Sequence, residues 1–207
     1  MKLGKNKYEE TIRVYEKLGG KYIKDIEKLV PSSFFDFIKL LPKNGKVLEI
    51  GCAGGRDSKK FSQKGFKVTG IDLVDIFLKE AEKNVPDAKF IKMDLRKLKF
   101  PKNYFNAIWA NAVLLHIKKK NILKVLKGFY KVLKFGGKLY ISVKRGKGKT
   151  YKKDKLSSDE KRLFVYFFKG EIEEYVKKAG FKIIFSQIFS DDAGRKNIKW
   201  IRLFAEK

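Results

Sequence analysis

The 207-residue chain predicts an α/β domain: an open, mostly parallel sheet with helices on both faces and an antiparallel C-terminal strand. Three features carry this. From residue 46 onward, short apolar runs alternate with amphipathic stretches of helical period, the pattern of βαβ units. A glycine-rich turn, Gly51-Cys-Ala-Gly-Gly55, separates the first such run from the first such stretch. The last two apolar runs have only the turn around Asp191-Asp-Ala-Gly194 between them, and strands joined by a turn alone pair antiparallel.

The elements follow in order. Residues 7–29 carry a helical stripe of Tyr8, Ile12 and Tyr15, then Tyr22, Ile26 and Leu29, with Gly19-Gly20 as a break. Pro31-Ser32-Ser33 predicts a cap on a second short helix through Leu40, closed by Pro42 and Gly45. Strands are expected over 46–50, 67–71, 89–92, 104–110 and 138–143. Helices are expected from the glycine turn to Gln63, over 75–84, and over 119–134 with Ile122, Leu126, Phe129 and Leu133 facing the core. A helix over 171–178, ended by Gly180, precedes strands over 181–189 and 198–205. There is no internal repeat and no second domain.

Composition excludes several classes. No window is apolar enough for a membrane span, and Met1–Tyr8 lacks the apolar core of a secretory signal, so a cytoplasmic protein is expected. One cysteine, Cys52, excludes an internal disulfide framework and a cysteine-built zinc site, and no metal is expected. The formal charge is +27, from 50 Lys+Arg against 23 Asp+Glu. Such a field favours RNA, DNA or an acidic membrane surface as partner. Only seven of the 50 are Arg, so a codon bias toward Lys is a second source, although it does not explain the shortage of acids.

The first strand–turn–helix junction carries the chemistry. Glycines after Val47-Leu48-Glu49-Ile50 let a ligand approach the backbone closely, and the following helix start offers unpaired N–H donors. Asp72 lies 21 residues after Gly51 at the end of the second strand, where a carboxylate accepts from ribose hydroxyls. The spacing of Gly51, Gly54 and Gly55 does not fit G-x-G-x-x-G, which seats a pyrophosphate. Glu49, two residues before the first glycine, instead suits a ligand with an α-amino group.

Val47–Gly55 resembles motif I of class I S-adenosylmethionine (SAM) methyltransferases, with Ala53 in place of the middle glycine. Asp72 matches that family's ribose-binding acid, and Asp94 the acid after the third strand that contacts the adenine amino group. Phe105-Asn-Ala-Ile-Trp-Ala110 is similar to the fourth-strand motif, with Asn106 for the usual Asp. Leu133-Lys-Phe-Gly-Gly137 is similar to the turn before the fifth strand, with Phe135 for Pro. Tyr8 and Tyr15 resemble an N-terminal helix that lies over the methionine end of SAM; ordinary core packing is the other reading.

The resemblance, closest to the type 11 and type 25 domains, implies a Rossmann-like three-layer sandwich with seven strands in one domain over 1–207. Within it, 1–44 is expected as a helical lid and 144–168 as a basic loop on the substrate side. The implied cofactor is SAM, leaving as S-adenosylhomocysteine. Its implied site takes Glu49, Gly51, Cys52, Ala53 and Gly55 from the turn, and Tyr15, Asp72, Leu73, Asp94, Leu95 and Asn111 from elsewhere. Cys52 reads as a small filler, not a nucleophile.

The acceptor side is less defined. His116, the only histidine, follows the fourth strand and is the candidate general base; a packing role is the alternative. Seven of the twelve residues in Lys144–Lys155 are basic and Tyr151 is interleaved, so this run can grip phosphates while an aromatic stacks on a base. Arg145, Tyr151, Arg162 and Tyr166 are the substrate-side candidates. Lys120, Lys124, Lys127, Lys131 and Lys134 form a stripe that reads as a solvated helix face. Three functions remain open: methyl transfer to a small molecule, methyl transfer to tRNA or other RNA, and a non-catalytic SAM-binding subunit.

Overall fold

A computed structural model describes residues 7–29, 31–154, 156 and 160–207. Residues 1–6, read above for a leader, and Lys155, at the end of the basic run, lie outside them. Among the described residues no helix is long and apolar enough to cross a membrane.

Helix α1 spans Lys7–Glu27 and bends at Gly19, whose φ of 49° and ψ of −132° lie outside the helical region. A short helix α2 (Phe34–Ile38) follows. The predicted serine cap is not made. Ser33 is itself in the helical region with no side-chain cap bond, and the Ser32 hydroxyl instead accepts from Arg202.

The sheet then builds as predicted: β1 (Lys46–Ile50), α3 (Arg56–Gln63), β2 (Lys67–Asp72), α4 (Asp75–Asn84), β3 (Lys89–Lys92), β4 (Phe105–Asn111), a 3₁₀ turn (Leu114–His116), α5 (Lys119–Val132) and β5 (Leu133–Lys144). The strand β5 begins at the residue after α5, earlier than its hydrophobic run suggests, with a register shift opposite Phe105/Ala107. The segment expected as a basic loop is a hairpin instead, β6 (Lys149–Lys152) paired antiparallel with β7 (Arg162–Val165). Helix α6 (Lys169–Lys178) and strands β8 (Lys182–Ser190) and β9 (Lys199–Glu206) complete the chain.

The main sheet has seven strands in the order β3-β2-β1-β4-β5-β9-β8. Only β9 runs against the rest, pairing antiparallel with β5 and β8. Because side chains alternate across a strand, the central strands feed two cores. Leu48, Ile50, Ile108, Ala110, Leu139 and Ile141 face the layer of α5 and α6. Val47, Ala107, Trp109 and Tyr140 face Phe34, Phe37 and Phe61 of α2 and α3, where the Trp109 and Tyr140 rings stack at 3.8 Å. Both sheet faces are thus covered, as parallel strands require. Lys120, Lys124, Lys127 and Lys131 are exposed on the far side of α5, the solvated face expected of them, with Lys134 half-buried beyond its end.

Candidate active site

Strand order reverses between β1 and β4, so the loops leaving their C-terminal ends part and open a crevice, the ligand site of open α/β sheets. One pocket occupies it. Its walls come from the β1, β2 and β4 loops, from α1, from Ser142 and Lys144 of β5, from the β6–β7 hairpin and from the β8–β9 turn.

One half of this pocket is built on the glycine turn. Gly51 has φ 69° and an added Cβ would lie 2.8 Å from Val113, so only glycine lets the β1 and β4 loops meet. An added Cβ at Gly54 would lie 2.7 Å from Ile23, where α1 closes on the turn. Ala53 holds φ 46°, a region costly for a residue with a Cβ. Asp72 fastens this turn, accepting from the backbone N–H groups of Ala53 at 3.0 Å, Leu73 at 2.7 Å and Val74 at 3.1 Å. A carboxylate has about four acceptor positions, which leaves one for a ligand. Burial raises the Asp72 carboxyl against the opposing pull of these N–H groups.

Glu49 is buried beside this turn and accepts from the Ser58 hydroxyl. Burial, then the nearby Asp57 charge, pushes its carboxyl well above the ordinary value. Asp57 is the opposite case. Burial raises it, but Arg56, paired at 2.7 Å, with Trp109 Nε1 at 2.8 Å and Asn111 Nδ2 at 3.3 Å, holds it below the usual range. A ligand ammonium entering here would bring Glu49 back toward ionisation. The Cys52 thiol is buried and raised by that burial, in keeping with a filler.

The other half is polar and enclosed. His116 is buried, and its Nδ1 lies 2.6 Å from the Leu163 carbonyl. A carbonyl only accepts, so Nδ1 carries the hydrogen and Nε2 accepts from the Tyr15 hydroxyl at 2.8 Å. Burial lowers His116 to about 3, so the ring is neutral near pH 7. Arg162 Nη1 donates to the same Tyr15 oxygen at 2.6 Å. Burial raises the Tyr15 hydroxyl well above its ordinary value.

Beyond Tyr15 lies a charged cluster. The Asp154 carboxylate accepts from Lys144 Nζ at 3.3 Å and from Arg162 Nη2, with Arg195 Nη1 at 4.0 Å. Asp191 binds Arg195 Nη2 and Trp200 Nε1, both at 2.7 Å, and Arg202 pairs with Asp192. Burial lowers Lys144 to about 8 against the pull of Asp154.

Most of the residues predicted from sequence meet in this pocket: Tyr15, Glu49, Gly51, Cys52, Ala53, Asp72, Leu73, Leu95, Asn111, His116 and Arg162 all line it, as does Tyr8. Others do not. The Asp94 carboxylate is forked by Arg96, with Nε at 2.8 Å, and is absent from the wall. Arg96 in turn lies 4.2 Å over the Tyr8 ring. Gly55 sits behind the wall as the left-handed N-cap of α3, φ 81°.

Of the substrate-side candidates, Arg145, Tyr151 and Tyr166 lie off the wall. Arg145 is exposed, Tyr151 packs beneath Lys7 at 3.9 Å, and the Tyr166 hydroxyl meets Thr150 at 3.1 Å. In the hairpin Tyr151 is paired with Leu163, on the face opposite Arg162 and Phe164, which line the pocket. Asn106 is structural: its side-chain oxygen accepts from Lys46 N at 3.0 Å, tying β4 to β1.

Sequence reasoning missed Asp57, Lys144, Asp154, Asp191 and Arg195 as pocket residues. For Asp57 a signal existed, since an acid in the first turn after the glycines is placed like Glu49.

With this geometry in hand, residues 47–137 match the family of methyltransferase domains. This part of the chain is similar to a methyltransferase domain. Its fold is that of the Rossmann-like, SAM-dependent class. Among curated relatives, the putative methyltransferase YqeM of Bacillus subtilis is 32% identical over 108 residues, 50% of this chain and 44% of that protein. The chain thus spans less than half the length of that relative. The phosphoethanolamine N-methyltransferase of Plasmodium falciparum is 27% identical over 203 residues, 95% of this chain and 70% of that one. The 1,6-didemethyltoxoflavin-N1-methyltransferase of Burkholderia thailandensis, solved with bound 1,6-didemethyltoxoflavin and S-adenosylhomocysteine, superposes with a TM-score of 0.77 at 20% identity, covering 97% of this chain and 86% of that chain.

Proposed function

We propose that this methyltransferase domain moves a methyl group from SAM to a small-molecule acceptor. The observation that carries this is that the glycine-turn half and the Tyr15–His116–Arg162 half are one pocket, the second half walled by buried side chains. The exposed hairpin lysines Lys147, Lys149 and Lys152, which an RNA acceptor would use, are not on that wall. The Plasmodium and Burkholderia proteins are named for small-molecule acceptors.

SAM supplies a methyl group already activated on a sulfonium. What is left to the protein is alignment and exclusion of water. Asp72 offers its remaining acceptor position to the ribose hydroxyls, Gly51 and Gly54 allow close backbone approach, and Glu49 with Asp57 receives the ammonium. The α1 residues Tyr8, Ile12, Tyr15, Tyr22 and Ile26 line the pocket, which supports a lid over the bound cofactor. His116, neutral and bonded at both nitrogens, positions the Tyr15 hydroxyl and takes no proton from the acceptor directly. A nucleophile that is neutral before transfer needs no base.

The test has two arms. Calorimetry should show S-adenosylhomocysteine binding that falls about 100-fold in Asp72→Ala, by the loss of charge-assisted hydrogen bonds; no binding to the natural protein overturns the reading. Incubation with methyl-labelled SAM should label a metabolite extract. Label confined to total RNA replaces the small molecule with RNA, and binding without any label leaves a SAM-binding subunit.

A further inference from the structure

The cluster around Asp154 has more cationic donors than its acids use. Lys144, Arg162 and Arg195 converge on one carboxylate, which also accepts from Leu156 N at 2.9 Å. Among the described residues, Arg162 Nε is buried without a hydrogen-bond partner. Among the same residues, the three donors of Lys144 Nζ make one hydrogen bond, to Asp154, with the Phe164 ring 3.9 Å away. A buried donor on a charged group that is left without a partner has lost its hydration and gained nothing in return. Such a cost is removed when an anion with several acceptor atoms arrives.

The charge balance points the same way. Among the described residues, three cations face Asp154 and Asp191, an excess of one positive charge. Arg202 is balanced by Asp192, and His116 is neutral. With Asp154 withdrawn the excess becomes two, the charge of a phosphomonoester dianion; a carboxylate would leave it at one. A tetrahedral phosphate also presents three oxygens, enough for Lys144, the Arg162 edge and Arg195 together. Asp154 lies in the connection between β6 and β7, outside any strand or helix. Its side chain can therefore turn away without breaking a strand pair.

We propose that the methyl acceptor carries a phosphate group, which seats among Lys144, Arg162 and Arg195 in the place that the Asp154 carboxylate takes in this structure. This rests on the small-molecule reading above. Asp154 then acts as an internal stand-in: it keeps the buried cations paired until the acceptor arrives, and it sets a threshold that only a doubly charged group passes. The reacting nucleophile lies on the other side of Tyr15, toward the glycine turn, with the phosphate as the distal anchor.

Inorganic phosphate and acetate, titrated at fixed ionic strength into the full chain saturated with S-adenosylhomocysteine, test this. Asp154→Asn, nearly isosteric, should bind phosphate about tenfold more tightly than the natural protein. Lys144→Met should lose that binding, alone and combined with Asp154→Asn. Asp154→Ser repeats the first arm with a different side chain. Phosphate binding unchanged in both Asp154 variants, or unaffected by Lys144→Met, overturns the proposal; an equal gain for acetate overturns the choice of phosphate. The cofactor-product titration of each variant is read separately, so failure there counts against the methyltransferase reading and not against the phosphate site.

Discussion

Tyr15 and His116, 101 residues apart in sequence, are joined at 2.8 Å by a hydrogen bond whose direction is fixed. The Leu163 carbonyl on the far side of the ring takes the Nδ1 hydrogen, so the tyrosine must donate. The same tyrosine oxygen accepts from Arg162. The α1 helix, the β4 loop and the hairpin strand β7 are thereby locked through one hydroxyl, and the polar half of the pocket is the space they enclose.

This lock makes the protein acid-sensitive. The folded pKa of His116 is depressed to about 3 from 6.5, so the unfolded chain takes up the proton first as pH falls. Stability attributable to the neutral ring is complete above about pH 6.5 and declines toward pH 3, at roughly 1.4 kcal/mol per unit. Urea unfolding at about pH 6.5, 5.5 and 4.5 should show a steeper decline for the natural protein than for His116→Gln. Parallel declines would remove the ring as the cause. Methyl transfer should show no rate limb near pH 6.5 from this residue, since a ring that does not titrate there cannot produce one.

Ala53 carries backbone strain that glycine would relieve. Its φ of 46° costs a non-glycine residue roughly 1–2 kcal/mol, of which the extra chain entropy of glycine returns about 0.5–1. Ala53→Gly should therefore raise stability by up to about 1 kcal/mol, seen as a higher Tm. The bond from Ala53 N to Asp72 is a backbone bond, so affinity for S-adenosylhomocysteine should stay within about twofold.

The hairpin lysines give a prediction of no effect. Lys147, Lys149 and Lys152 are exposed and off the pocket wall. Replacing all three by Gln should leave methyl transfer to the acceptor within about twofold, because solvent-exposed charges that touch no bound ligand are weakened by water and screened by physiological salt. A large loss that varies with salt would instead place a polyanion on this hairpin.

How far the sequence led depended on whether a signal was local. Val47, Leu48 and Ile50 form an apolar run that reads as a buried strand, and Gly51 with Asp72 marks the strand ends that line the pocket. Those readings needed no tertiary information. Strand β7 did not announce itself, because Arg162-Leu-Phe-Val165 is short and sits in a basic stretch whose charge suggested a loop. Asp154, Asp191 and Arg195 carry no motif. Asp191 and Arg195 reach the pocket because β8 runs with the parallel strands, so its C-terminal turn rises at the same edge as the β1 and β4 loops, and Asp154 reaches it from the connection between β6 and β7. Asp94 stands off the pocket wall for a local reason that the sequence did hold: Arg96, two residues on, is placed to pair with its carboxylate.

The contact between Gly54 and Ile23 offers the sharpest check on the role of α1. A Cβ at Gly54 would lie 2.7–2.9 Å from three carbons of the Ile23 side chain, closer than packed atoms approach. Gly54→Ala must displace α1 or the turn, at a cost of about 1–3 kcal/mol. Because Tyr15, Tyr22 and Ile26 of the same helix line the pocket, the shift should weaken S-adenosylhomocysteine binding as well as stability. Ile23→Ala opens the space that the new methyl needs, so the double variant should recover much of the lost affinity, with a coupling of about 0.5–3 kcal/mol. Additive losses in the cycle would mean that the glycine acts through the ligand alone and that α1 is not what it accommodates. Recovery of affinity together with stability would show that helix and turn close on the cofactor as one unit.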